Sequence, residues 1–562
     1  MLTAIEIENF KAFGEKQRIE LRPITLLFGP NSGGKSSVTH ALHYLREVVL
    51  EGNVDAHHTW SGGAALDLGG ARSFVHGRTM GPTIRLNAEL ALRGGDLPLF
   101  VGRYSDDGEC TELLDIQERM SGAAVCYEIS TQGTPHLHAI HVEINGVAFA
   151  SLVLTRGARS ATVENLNWNH PIISREPRPT HWEENVPESA DAVALELSKR
   201  PNGKNAPDAS ETLRSYLANV YAHAGGAAVQ AGSIPFKLPY GVPASWRDPI
   251  RFEWPIGERT KTQLVESDDF ERLVSMLLLG PIHVLAERLR EFRHIGPLRV
   301  MPPRHLDYPD RAGSSRWSSG LQAWYDLTHG PTELLEEVSR WLELEDRLDT
   351  GYRLERETFK HLPAGIAAII ADPELAERTE SFAETIASLP DHTRIVLRDV
   401  NRNLLLQPQD VGVGLSQIVP VIMALLDPGA SLIALEQPEL HLHPRQQAAL
   451  GDAIIKGIRV VPSLTELEAI AIPAGILGER RRTLLIETHS EHLILRLLRR
   501  IRETTDGEAP AGTELQANQL SVVYVQPSGT NATVATIPVS EDGDFTQPWP
   551  NGFFAERVQE LL

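Results

Sequence analysis

The stretch Gly29-Pro30-Asn31-Ser32-Gly33-Gly34-Lys35-Ser36-Ser37 holds the densest chemistry in this 562-residue chain. Glycines at this spacing let backbone N–H groups turn inward onto phosphate oxygens, and a helix starting at Lys35 adds its positive end. The Lys35 ammonium is placed to reach the terminal phosphates, and the Ser36 hydroxyl to ligate Mg²⁺. The reading is therefore ATP with Mg²⁺, held by Gly29, Asn31, Ser32, Gly33, Gly34, Lys35, Ser36 and Ser37. Such a loop needs a carboxylate at the end of a second buried strand, and Ser431-Leu432-Ile433-Ala434-Leu435-Glu436 ends in one. Glu436 is thus the metal-side partner of Ser36, followed by Gln437, Pro438 and Glu439. Twenty residues before Glu436, the string Gly412-Val413-Gly414-Leu415-Ser416 opens a helix. Exposed amides, a hydroxyl and a helix dipole suit Gly414 and Ser416 to a second anion-binding arrangement, although a helix N-cap by Ser416 would explain the string alone. His489 follows a further apolar run, Thr483-Leu484-Leu485-Ile486.

These groups converge only if the elements around them form an α/β sheet. Ile24-Thr25-Leu26-Leu27-Phe28 reads as a strand buried on both faces, and Val38, Ala41, Leu42 and Leu45 after the loop have helical spacing. Buried strands at 431–435 and 483–487, helices at 415–426, 445–458 and 491–501, and strands at 394–397, 403–406, 520–525 and 532–539 continue the alternation. Pro420 is expected in the first turn of its helix, where proline is tolerated. Residues 52–155 read as short strands and turns, and 157–265 as an irregular insertion with weak periodicity. Helical spacing returns at 270–289, broken at Gly280-Pro281, and at 333–348 and 375–389. The expected division is an N-terminal lobe (1–160), an insertion (161–389) and a C-terminal lobe (390–562), with no heptad run long enough for a coiled coil.

The order phosphate loop, signature-like helix start, carboxylate strand and strand-end histidine resembles ABC-type ATPase heads of the SMC, RecF and OLD group. A bacterial family of AAA ATPases is closer still. Its matching strings here are Phe10-Lys11-Ala12-Phe13, Ile295-Gly296-Pro297-Leu298-Arg299, Gln437-Pro438-Glu439-Leu440-His441-Leu442-His443-Pro444, Glu487-Thr488-His489-Ser490-Glu491-His492 and Trp549-Pro550-Asn551-Gly552-Phe553-Phe554. That family includes the ATPase subunit of Septu-type anti-phage systems. The resemblance implies a mixed-sheet P-loop head and a nucleotide-sandwich homodimer, with Gly414 and Ser416 facing the γ-phosphate of the opposite protomer. It implies that Glu436 holds Mg²⁺, that His489 is the switch histidine, and that Gln437 occupies the position of the base. An amide cannot accept the proton but can orient a water, so hydrolysis is expected to be slow, with Glu439 a possible substitute. The implied function is control of a separate effector, a nuclease in phage defence. The alternative is a RecF-like repair ATPase that binds DNA directly.

Composition narrows the partners. The formal net charge of −21 disfavours a protein that coats nucleic acid with its whole surface, although a local DNA groove at the basic clusters Arg480–Arg482 or Arg499-Arg500 stays open. Two cysteines, Cys110 and Cys126, exclude a disulfide framework. No apolar run is long enough to span a membrane, so a cytoplasmic protein is expected. Asp542-Gly543-Asp544 reads as a turn rather than a Toprim metal pair, and His441 and His443 as loop residues rather than metal ligands.

Overall fold

The computed structural model describes residues 1–93, 95–98, 100, 111–154, 160–167, 170–174, 234–235, 250, 261–302, 316–363, 386–459 and 482–549. At its centre lies a six-stranded sheet of β1 (Ile24–Phe28), β2 (Phe292–Ile295), β3 (Leu432–Glu436), β4 (Thr483–Glu487), β5 (Leu520–Ser528) and β6 (Asn531–Ile537). The spatial order is β2-β3-β4-β1-β5-β6. All neighbouring pairs are parallel except the β5–β6 edge hairpin. Period-two alternation explains why β1, β3 and β4 read as unbroken apolar runs. Ile24, Leu26, Phe28, Ile433, Leu435, Leu484 and Ile486 enter one core, whereas Leu27, Leu432, Ala434 and Leu485 enter the other.

The Leu27 face is covered by α1 (Lys35–Arg46), by α2 (Lys261–Arg290) and by an eight-stranded sheet. The second face is covered by α3 (Val413–Leu426), α4 (Pro444–Gly457) and α5 (Glu491–Thr505), with the helices Leu321–His329 and Thr332–Glu343 beside them. A three-stranded sheet, Tyr352–Lys360, Asp391–Asp399 and Leu404–Leu406, adjoins that core. The α/β expectation of a P-loop head is met by this layout.

Several local expectations change. Within 52–155 the strands are long, not short: Ile84–Ala91, Gly122–Ser130, His136–Ile144 and Val147–Leu154 run side by side in antiparallel register. Gly280-Pro281 does not break α2, which continues to Arg290. α3 begins two residues earlier than expected, so Pro420 sits in its interior rather than its first turn. It therefore cannot donate to the Ser416 carbonyl. The segment 161–389 is not a body apart, because β2 completes the central sheet and α2 packs in the N-terminal core. The irregular stretch 157–265, the helix expected at 375–389, Cys110, Arg480, Arg481 and residues 550–554 lie largely or wholly outside the described residues.

Candidate functional site

In an open, mostly parallel sheet the C-terminal strand ends are where ligands bind, and this is where the residues meet. The loop after β1 turns through left-handed backbone at Gly29 (φ 144°), Ser32 (φ 63°) and Gly34 (φ 104°). A Cβ on Gly29 would lie 2.0 Å from the Val525 carbonyl oxygen of β5, so only glycine fits. Gly34 caps α1, which opens with Lys35 and Ser36, while Asn31 and Ser32 are exposed at the tip and Ser37 is buried behind. Lys35 Nζ donates to the Gly29 and Pro30 carbonyls, both at 3.0 Å. Burial pulls its pKa down, opposed by the charge of Glu487. Bare amides at a helix N-terminus, a lysine and a hydroxyl fit the triphosphate and divalent cation read from the sequence. A bound Mg²⁺ would neutralise phosphate charge there.

Glu487 is the residue sequence reasoning missed. It ends β4 in register with Glu436 at the end of β3. The Ser36 hydroxyl donates to Glu487 Oε2 at 2.9 Å, and Lys35 Nζ is 3.8 Å from Oε1. Burial, then the neighbouring charge of Glu436, raises the Glu487 pKa. The signal was present in the sequence, since Leu-Ile-Ala-Leu-Glu and Thr-Leu-Leu-Ile-Glu are both apolar strands ending in a carboxylate.

Glu436 is held by a buried chain instead. His294 on β2 sits 3.0 Å from Glu436 Oε1 through Nε2 and 3.0 Å from the Ser318 hydroxyl through Nδ1. Burial alone would raise the Glu436 pKa, but the His294 hydrogen bond and nearby positive charge outweigh it, and the carboxyl titrates below its ordinary range. Arg299 donates to the Glu436 and Gln437 carbonyls at 2.7 and 3.3 Å. Its own backbone N–H and C=O are clasped by the Gln417 amide of α3 at 3.2 and 2.7 Å. One buried arginine thus links the signature-like helix to the carboxylate turn.

That turn is strained. Gln437 has φ 46° and His441 φ 64°, which cost a side-chain-bearing residue roughly 1 kcal/mol each. The Gln437 N–H donates to the Glu487 carbonyl at 2.7 Å. Glu439 is buried, and its Oε1 accepts the His489 N–H at 2.8 Å. It ties the carboxylate turn to the histidine loop and faces no open solvent. Burial raises its pKa, while burial and then Lys35 lower that of His489. His443 is a capping residue: its ring accepts the Arg445 N–H, with Gln446 completing a capping box for α4. Among the described residues no group of three or more His, Cys, Asp or Glu is arranged to hold a metal on its own.

Ser416 requires a correction. It is wholly buried, and its hydroxyl donates to the Val413 carbonyl at 3.0 Å. What α3 presents outward is Gly412 and Val413, both exposed, with Gly414 half-buried against the loop after β3. The basic clusters also change meaning. Arg482 is fully buried and donates to the Leu425, Asp427 and Gly457 carbonyls, at and just beyond the C-terminal ends of α3 and α4. Arg500 is buried against Asp452 at 2.7 and 2.9 Å. Arg499 alone of the described cluster residues is exposed, paired with Glu503 at 2.6 Å. Asp542-Gly543-Asp544 is a turn with Gly543 at φ 69°, docked on Arg502.

Two stretches of the chain match models of known protein families. Residues 307–496 match a family model described as "AAA domain, putative AbiEii toxin, Type IV TA system", and residues 4–45 match a second AAA-domain model. No curated protein matches the sequence. Similar solved structures include an Smc head bound to the C-terminal winged-helix domain of ScpA, at 8% identity and TM-score 0.35, covering 96% of this chain and 98% of that one. The SMC head domain from Thermotoga maritima aligns at 9% identity and TM-score 0.33, covering 96% and 99%. An Smc head from Pyrococcus furiosus with an extended coiled coil, bound to the ScpA C-terminal domain, aligns at 9% and 0.34, covering 96% of each chain. Superpositions this loose carry no argument. Within the described residues no helix is long and apolar enough to cross a membrane.

Proposed function

We propose that the chain is an ATP-dependent dimerising switch that controls a separate effector, a nuclease in anti-phage defence as in Septu-type systems. The observation that carries the ATP reading is the convergence of Lys35 and Ser36 on the strand-end carboxylate Glu487, one strand from Glu436. The dimer reading rests on the N-terminus of α3, where Gly412 and Val413 are exposed and no described element covers them. Two heads facing each other would bring each such helix start to the other's phosphates. Phosphate binding uses the loop amides and Lys35, metal binding uses Ser36 with the strand-end carboxylates, and Gln437 orients the attacking water. With no carboxylate at the Gln437 position, turnover is slow and ATP acts as a lasting ligand that favours the closed dimer. The RecF-like alternative is weaker, because Arg482 and Arg500 serve internal contacts and do not form a DNA surface.

The test is nucleotide binding and sedimentation of wild type and Lys35→Ala with Mg-ATP. Wild type should bind and shift towards dimer, and Lys35→Ala should do neither. A Lys35→Ala protein that binds ATP as well as wild type refutes the assignment of the loop. Co-purification of the natively expressed protein with a nuclease tests the effector.

A further inference from the structure

We infer that Glu487 is a ligand of the divalent cation that accompanies the nucleotide, completing with Ser36 a cation site at the ends of α1 and β4; this rests on the ATP reading above. The sequence pattern gives that duty to Glu436, but the geometry divides the two carboxylates. Glu436 already has a buried partner in His294 at 3.0 Å, and that histidine is anchored in turn on Ser318. Among the described residues Glu487 has no such anchor. Its side chain accepts from the Ser36 hydroxyl at 2.9 Å, and its nearest cation, Lys35, stands off at 3.8 Å with its ammonium spent on the Gly29 and Pro30 carbonyls.

Two adjacent ligands on an octahedral Mg²⁺, each about 2.0–2.1 Å from the ion, are about 2.9 Å apart. The Ser36 Oγ to Glu487 Oε2 separation is 2.9 Å. The pair therefore spans one edge of a Mg²⁺ coordination shell without moving, once the hydroxyl turns its lone pair towards the ion. Charge argues the same way. Glu487 is 7% exposed and registers directly against Glu436 on the next strand. When a triphosphate draws Lys35 away, a buried carboxylate beside another carboxylate and a polyanion is costly unless a cation sits on it. On the phosphate-loop side such a cation would meet Ser36 as well. Glu436 would then act from one strand further, through water.

The experiment measures ATP affinity of the full chain in Mg²⁺ and in EDTA, together with Mn²⁺ binding by electron paramagnetic resonance, for wild type, Glu487→Gln, Glu436→Gln and Ser36→Ala. Glutamine keeps the size of Glu487 and its acceptor for Ser36, so the fold is retained. Wild-type affinity should fall when the metal is removed. Glu487→Gln should lose most of that metal-dependent gain and weaken nucleotide-dependent Mn²⁺ binding by at least about tenfold, the scale on which metal-site partners act. Ser36→Ala should behave alike, and Glu436→Gln should lose less. A Glu487→Gln protein with unaltered metal dependence overturns the inference. So does one that binds ATP more tightly with and without metal, since Glu487 would then be a latch that the phosphates must displace. Failure of the ATP reading itself looks different, because wild type would then bind no nucleotide in either buffer.

Discussion

Gly414→Ala probes whether the start of α3 and the carboxylate turn move as one piece. A Cβ on Gly414 would lie 2.5 Å from the His441 carbonyl oxygen, below the 3.0 Å that real Cβ contacts respect. The α3 start and the loop after β3 must therefore part by at least about 0.5 Å. Overpacking of this kind costs about 1–3 kcal/mol, and replacing glycine within a helix returns up to about 1 kcal/mol. The expected net loss is about 0–2 kcal/mol, read as a modest fall in Tm. The functional effect should be larger. His441 is four residues from Gln437 in the same strained turn, and misplacing a reacting group by about 1 Å costs on the order of 10²-fold in rate. Half that displacement predicts turnover reduced roughly tenfold. Nucleotide affinity of the single head should hold within about twofold, since the phosphate loop shares no partner with Gly414. Steady-state ATP turnover, nucleotide binding and sedimentation in Mg-ATP decide the matter. Unchanged turnover with a normal Mg-ATP dimer refutes the mechanical link, and a matching loss of affinity and turnover places the effect elsewhere.

Gln437→Glu should raise ATP turnover, within the 10²–10⁴-fold that general-base assistance supplies, whereas Glu439→Gln should change turnover little and loosen the histidine loop it anchors at 2.8 Å; both are read by steady-state hydrolysis. Asp452→Ala removes the carboxylate that Arg496 and Arg500 meet at 2.6–2.9 Å between α4 and α5 and leaves Arg500 with Glu503 alone, and should cost about 1.5–3 kcal/mol in denaturant unfolding. The Asp326 carboxyl is pushed up to about 6, chiefly by burial, against a lowering hydrogen bond from Gln322. The native state therefore holds that proton longer than the unfolded chain, and this group's contribution to stability falls as pH rises from about 4 to about 6. Asp326→Asn should remove that slope, with a higher Tm than wild type at neutral pH and no advantage near pH 4.

The parts of the site legible in the sequence are those with a buried, one-note environment. β1, β3 and β4 are apolar on both faces, so each announces itself as an unbroken run ended by a glycine loop or a carboxylate. The long antiparallel strands were harder to see because Arg85, Asn87 and Glu89 alternate with Ile84, Leu86 and Ala88. That pattern gives no core run, yet the charges are satisfied across strands, as Arg85 is by Glu128 at 2.7 Å. β2 is four residues, Phe-Arg-His-Ile, and its histidine is buried for the sake of Glu436, a contact 142 residues distant in sequence. Arg299 ends the family-like string Ile295–Arg299, but nothing local says what its guanidinium holds, since its partners lie on α3 and at the end of β3. Ser416 misled for a related reason: a hydroxyl at a helix start can face a ligand or its own backbone, and only packing decides which.

The place of β1 in the central sheet has a consequence for synthesis. Ile24–Phe28 is bordered on one side by Thr483–Glu487 and on the other by Leu520–Ser528. Both neighbours leave the ribosome some 450 or more residues later. At about 5–20 residues per second, the strand that delivers the phosphate loop waits roughly 20–90 s with both edges unpaired and its four apolar side chains uncovered. Nucleotide competence therefore arrives last, although its loop is made first. A nascent or prematurely ended chain carries the loop sequence without a binding site, and its first strand is an edge open to whatever else is being made nearby.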